Sequence, residues 1–250
     1  MSQREFLLID ISNSFTKLAF SSRGRLGRIE RIPTATLAAG TLRAAIGTRK
    51  FLHAAVASVV PGKNPEVEKA LGSGICWVGA GVDLGIGIDY PQPRSIGADR
   101  LANAVGAKFL HGAPAIVVDF GTAVTFDVLT REGNYAGGVI APGLNAMTDY
   151  LHSRTALLPK VKLREPRRAI GRSTKEAMQS GAVYGYRGLI KEIVREIEKE
   201  IGVRRGLRLI ATGGDARLIA GQTHMFAAVE PQLTLEGIRI IATRNFPPGR

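Results

Sequence analysis

The feature that most constrains the fold is a strand, an acidic turn and a returning strand, which the chain carries twice. Residues 114–128 read PAIVVDFGTAVTFDV. Ile116 to Val118 form an apolar β-branched run suited to a buried strand, and Asp119 closes it. Gly121 and Thr122 make a tight turn, and alternation resumes through Val124, Phe126 and Val128. Residues 7–20, LLIDISNSFTKLAF, repeat the device. Aligned on the aspartates, Asp10 matches Asp119, Ser12 matches Gly121, Asn13 matches Thr122 and Phe15 matches Val124. One unit used twice predicts a duplicated α/β fold. Each turn offers backbone amides and a small hydroxyl or amide to phosphate oxygens, with the aspartates set to hold a metal ion.

Between and after these hairpins, strands alternate with helices. Residues 23–33 read as a polar turn, 35–47 as a helix, FLHAAVASVVP as a strand, Asn64 to Leu71 as a short helix and ICWV as a strand. Residues 83–100, DLGIGIDYPQPRSIGADR, break the rhythm. This irregular loop gathers Tyr90, Arg94, Asp99 and Arg100, a density of charge and aromatic character typical of sites, although Asp99 also suits a helix cap. A helix over Arg100–Leu110 follows, so the chain divides near residues 111–114 into domains of 1–112 and 113–250. Beyond the second hairpin come a strand with Pro142 and Gly143 before a helix from about Leu144, then a basic loop over 159–172. A long helix starts at a Ser173–Glu176 capping box, RLIATGGDARLIA gives strand, Gly turn and helix, and LTLEGIRIIATRNF closes the chain as a helix.

With 250 residues, 45% hydrophobic and 22% charged, the composition is that of a folded chain with room for two domains. No apolar run approaches a membrane span, and the apolar start is too short for a secretory signal, so a cytoplasmic protein is expected. The lone Cys76 forms no intrachain disulfide and reads as core, and the four histidines lack metal-ligand spacing. The net charge of +13 is spread over Arg23 to Arg31, Arg164 to Arg172 and Arg204 to Arg208 without interleaved aromatics. This argues against nucleic acid and for a solvated surface that favours anionic substrates.

Taken in order, DISNSFTK at Asp10–Lys17, GADR at 97–100, VDFGTA around Asp119, GGVIAPGLNAM, RTALLP, IGRSTKEAMQSG, ATGGDA and LTLEGI resemble the type III pantothenate kinases. That family lies within the acetate and sugar kinase, heat-shock chaperone and actin superfamily. The resemblance covers nearly the whole chain and implies two duplicated ribonuclease-H-like, actin-like ATPase domains with the active site in an interdomain cleft. It implies ATP-dependent phosphorylation of pantothenate to 4'-phosphopantothenate, the first step of coenzyme A synthesis, in a homodimer. By matching positions, Asp99 is the general base for the substrate hydroxyl. Asp10 holds magnesium, and the first loop (Asp10, Ile11, Ser12, Asn13, Ser14, Phe15, Thr16, Lys17) with Thr122 binds ATP. Asp119 holds a monovalent cation, potassium or ammonium. Tyr90, Gly97, Ala98, Asp99 and Arg100 contact pantothenate, and Thr174 reaches it from the neighbouring subunit.

The chain departs from the family pattern at Ser12 and Ser14, where the family has Gly and Thr. Ser12 adds a Cβ where backbone passes close to phosphate and where a positive φ is a concern, so weaker ATP binding is expected. The alternative reading is a non-catalytic, kinase-like paralogue that binds a ligand to regulate a partner.

Overall fold

The computed structural model describes residues 5–203 and 206–248, so Arg204 and Arg205 of the third basic group lie outside the described residues. The first hairpin is β1 (Phe6–Ile11) and β2 (Phe15–Ser21), followed by β3 (Leu26–Pro33). Helix α1 (Ala39–Ile46) leads to β4 (His53–Ser58), α2 (Asn64–Leu71) to β5 (Ile75–Trp77), and an irregular stretch to α3 (Ala98–His111). The second hairpin is β6 (Ala115–Phe120) and β7 (Ala123–Leu129), followed by β8 (Tyr135–Pro142). Then come α4 (Leu144–Arg154), α5 (Thr174–Ile201), β9 (Arg208–Gly213), α6 (Ala216–Ala220), β10 (Ala228–Val229) and α7 (Leu233–Asn245).

The two five-stranded sheets have one topology. The order β3-β2-β1-β4-β5 in the first is repeated as β8-β7-β6-β9-β10 in the second. In each, the hairpin strands run antiparallel, and the first of them pairs in parallel with the strand that follows a helix. The duplicated α/β reading is therefore a property of the hydrogen-bond ladders. Even the burial sequence along β2 and β7 coincides position by position: exposed, buried, half-buried, then four buried.

That coincidence corrects the alignment of the turns. Ile11 pairs with Thr16, whereas Phe120 pairs with Val124, so the first turn is one residue longer. Past the turn it is Thr16, not Phe15, that corresponds to Val124, and Lys17 corresponds to Thr125. Letter-matching missed the insertion because both Phe15 and Thr16 suit a strand, and only the ladder fixes register. A second correction concerns residues 26–33, expected in a polar turn. They form the edge strand β3, whose charged residues Arg28, Glu30 and Arg31 suit an edge that must not pair further.

The chain divides into two compact units. The first takes residues up to Gly112, Gly133–Ala136 and the segment from Gln232 onward, and the second takes Ala113–Glu132 and Gly137–Pro231. In the first unit every β1 side chain is buried. Phe6 and Leu8 pack toward α3 and α7, and Leu7, Ile9 and Ile11 toward α1 and α2. Helices α3 and α7 approach so closely that a Cβ on Gly237 would collide with the Ala102 carbonyl oxygen. In the second unit Ile116, Val118 and Phe120 pack with Tyr186, Ile190 and Val194 of α5. Cys76 is buried, which raises its thiol pKa and fits a core residue. Among the described residues no helix is long and apolar enough to cross a membrane.

Candidate functional site

In the first unit, the Asp10 carboxylate sits at the end of β1 and is only 2% exposed. Burial of a charge needs partners, and two are supplied by the turn itself. Ser12 Oγ donates to Oδ1 at 3.0 Å, and Lys17 Nζ, directly across the hairpin, donates to Oδ2 at 3.2 Å. Among the described non-glycine residues only His224 has a positive φ, so Ser12 carries no left-handed strain. The concern about a positive φ at Ser12 is thereby removed. Its hydroxyl is instead part of the carboxylate's hydrogen-bond set.

The turn is also pinned from β3's end by a residue that sequence reasoning passed over. Thr34, buried, donates its hydroxyl to Ser12 O at 2.7 Å, its amide donates to Ser14 O at 3.1 Å, and its hydroxyl lies 3.1 Å from that of Thr16. Ile11 and Thr16 are fully buried, so they can offer a ligand only backbone, whereas Asn13, Ser14 and Phe15 are exposed. Three amides and short polar side chains around a fixed turn suit phosphate oxygens.

Asp99 lies in the first turn of α3, with Gly97 as the capping residue. Its Oδ1 accepts the Arg100 amide at 2.8 Å, and a Cβ on Gly97 would come within 2.6 Å of the same oxygen. Glycine therefore leaves the carboxylate room, and the helix N-terminus favours its charge. Gly97 abuts Val59, just past β4, whose end lies beside that of β1. Asp99 and the Asp10 turn thus belong to one end of the first sheet. Ala98 beside it is buried.

Tyr90 and Arg100 are brought together by Tyr135, another residue the sequence did not single out. The Tyr90 ring stands edge-on to Tyr135 with centroids 6.3 Å apart, and the Arg100 guanidinium lies 5.8 Å from the centre of the same ring. Tyr135 is itself fixed to the irregular loop, its amide bonding Gly87 O and its carbonyl accepting Asp89 N, each at 2.8 Å. The only sequence signal was a lone tyrosine before a Gly pair.

In the second unit, Asp119 ends β6, between Thr125 on β7 and Thr212 on β9. Gly213 beside it has φ +93, and a Cβ there would lie 2.5 Å from Asp119 Oδ1 and 2.6 Å from Phe120 N. Gly143 seats α4 against the other turn: its amide donates to Thr122 O at 3.1 Å, and a Cβ would collide with that oxygen. Thr122 itself is exposed. Asp215, after the Gly213–Gly214 pair, is half-buried, which raises its pKa, and Asn145 Nδ2 donates to it at 3.4 Å. Burial, reinforced by that carboxylate, pushes the Tyr186 hydroxyl pKa upward. Thr174 is exposed as the first residue of α5, after Ser173, whose hydroxyl accepts the Glu176 amide as expected of the cap. Among the described residues no group of three or more His, Cys, Asp or Glu is placed to hold a metal. A metal here would depend on few carboxylates with water or phosphate completing its shell, as magnesium does.

Comparison with solved structures finds the same fold in proteins of different description. A transcriptional activator of the Baf family from Campylobacter jejuni, described as putative, has a TM-score of 0.65 at 18% identity, covering 96% of this chain and 98% of that one. A 2-dehydro-3-deoxygalactonokinase from Sinorhizobium meliloti, also so described, has a TM-score of 0.62 at 14% identity, covering 98% of each. At these identities the likeness concerns fold alone. In sequence, the chain is 50% identical over 241 residues to the type III pantothenate kinase of Akkermansia muciniphila, spanning 96% of this chain and 99% of that one. The family model for type III pantothenate kinase matches residues 6–196, a span that holds both aspartate turns, Tyr90 and the Gly97–Arg100 segment. With its duplicated sheets and these turns in place, the chain belongs to the type III pantothenate kinase family.

Proposed function

We propose that this protein is an ATP-dependent pantothenate kinase that forms 4'-phosphopantothenate, the first step of coenzyme A synthesis, in the cytoplasm. The observation that carries the reading is family membership across a span that includes both turns and Asp99. In this reading Asp99 accepts the proton of the terminal hydroxyl as the γ-phosphoryl group is transferred. Its place in the first turn of α3 supports that role, because the helix end favours the carboxylate before reaction and Gly97 keeps its approach open. Arg100, steadied over Tyr135, pairs with the anionic end of pantothenate, and Tyr90 packs on the substrate, with Gly97 and Ala98 as its floor. Lys17, Asn13 and Thr122 contact the phosphates. Ser12, Ser14 and Phe15 present backbone or short side chains beside them, and Ile11 and Thr16 present backbone alone.

Asp10 fits magnesium as a single buried carboxylate to which phosphate oxygens and water would be added. Magnesium supplies neutralisation of the charge on the phosphate oxygens. Asp119, held between Thr125 and Thr212, is assigned to potassium or ammonium. A homodimer, with Thr174 reaching the neighbouring substrate, is supported by apolar side chains displayed by the second unit. Ile140, Tyr150, Leu157 and Ile170 are all at least 62% exposed.

The test is ADP release from ATP, magnesium and pantothenate, run with potassium and again with sodium alone. Pantothenate-dependent release that needs potassium is expected. Saturable binding of ATP or pantothenate without release would overturn the kinase reading in favour of a ligand-binding paralogue.

A further inference from the structure

Apart from the exposed Ile170, the basic segment 159–172 has no role in the reading above, yet it is neither helix nor strand and is held firmly. It carries Lys160, Lys162, Arg164, Arg167, Arg168 and Arg172 against one acid, Glu165. Glu165 is gripped by both terminal nitrogens of Arg187 on α5, at 2.9 and 2.6 Å, and the same guanidinium donates to the Leu218 carbonyl at 2.7 Å. Two buried side chains of α5 bind the segment's backbone: Gln179 Nε2 donates to Lys162 O at 3.1 Å, and Ser180 Oγ donates to Arg168 O at 2.8 Å. Gly171 lies so close to α5 that a Cβ would collide with the Ala177 amide. Contacts at Lys162, Glu165, Arg168 and Gly171 hold a segment of like charges in one shape.

The result is a concavity of about 340 Å³ lined by Arg164, Arg167 and Arg168 on one side and Glu176, Gln179 and Ser180 of α5 on the other. The carboxylates in its wall offset the arginines only in part. Glu165 is already paired with Arg187, and Glu176, whose carboxylate accepts the Arg172 amide at 2.8 Å, leaves one negative charge against the three guanidinium groups. The guanidinium groups of Arg164, Arg167 and Arg168 make no ion pair or hydrogen bond among the described residues. Three exposed arginines lining one small cavity offer an anion of high charge density several donors at once. Guanidinium forks match phosphate oxygens two at a time. The volume is at the lower end for small-molecule sites, and no aromatic ring on which a base could stack lines it.

We infer that this concavity binds a small molecule bearing two or more linked phosphate groups, at a place that shares no residue with the aspartate turns. The inference goes beyond the kinase reading and stands without it.

The experiment is calorimetric titration of the full-length protein with inorganic triphosphate. The nucleotide site is kept filled by a non-hydrolysable ATP analogue and magnesium. One saturable event per chain is expected, weakened at least about tenfold in R164A/R167A/R168A, in line with the strength of hydrogen bonds to charged groups. The control K191A/R195A/K199A removes the same charge from exposed positions of α5 and should bind within about twofold of the parent, since distant surface charges are screened by salt. Matching unfolding temperatures show that both variants are folded. No binding by the parent, undiminished binding by the arginine variant, or equal loss in the control would each overturn the site. A single-stranded RNA that binds through these arginines more tightly than triphosphate would overturn the small-molecule assignment.

Discussion

The two halves of this protein share strand order and burial pattern, yet each builds different chemistry at equivalent places. At the hairpin, the first half carries Lys17 across from its aspartate and one additional turn residue, while the second has Thr125 in the same place. At the end of the next strand, the first half has Ser58 and the second Gly213, whose φ of +93 and contact with Asp119 exclude a side chain. At the second position of the closing helix, the first half presents Asp99 half-exposed. At the second position of α7, which belongs to the first unit as α3 does, Thr234 is instead buried and donates its hydroxyl to Asn103 at 2.8 Å. The comparison teaches that the ladders and cores are the duplicated part. The differences at the hairpins and strand ends gather around the carboxyl ends of β1, β4, β6 and β9.

If Asp99 is where α3 and α7 part in chemistry, Asp99→Asn should lower kcat by about a thousandfold, within the usual range for a lost general base. ATP affinity and the unfolding temperature should stay near those of the parent. Turnover within tenfold of the parent would remove Asp99 from that role. The contrast at the strand ends predicts that Gly213→Ala costs about 3 kcal/mol of stability, from positive φ and overpacking together. Ser58→Ala should cost much less in the same denaturant titration. Equal costs would mean that the second turn is not the tighter of the two.

Lys17→Met tests the charged turn against the neutral one. It leaves the buried Asp10 carboxylate without its cation and should cost about 2 kcal/mol, with the Michaelis constant for ATP rising. Thr125→Val, its counterpart, should shift stability little, and a larger loss there would break the comparison. The smallest effect belongs to Ser12→Gly. With no backbone strain to relieve, it should alter the Michaelis constant for ATP by no more than about fivefold, the worth of one modest hydrogen bond to Asp10. A larger improvement would restore the idea that the Ser12 side chain obstructs phosphate.

Much of this was legible in the sequence. The apolar runs ending in Asp10 and Asp119 announced the duplicated hairpins, because a buried strand needs such runs whatever surrounds it. The order of the short motifs pointed to the family. What escaped were residues whose importance comes from distant partners. Thr34 clamps the first turn from the end of an edge strand that read as a loop, and Tyr135 joins Tyr90 to Arg100 from a different part of the chain. Neither carries a local signature.

The sequence by itself thus determined the strand pattern, the two acidic turns and the class of ligand they suit, since these follow from alternation and turn chemistry within a few residues. The tertiary structure alone decided the register past the first turn, the packing of α7 against α3 and the holding of the 159–172 segment on α5. Those depend on a ladder hydrogen bond, on a glycine pressed against Ala102 O and on buried side chains reaching carbonyls, all contacts between residues that meet only once the chain is packed.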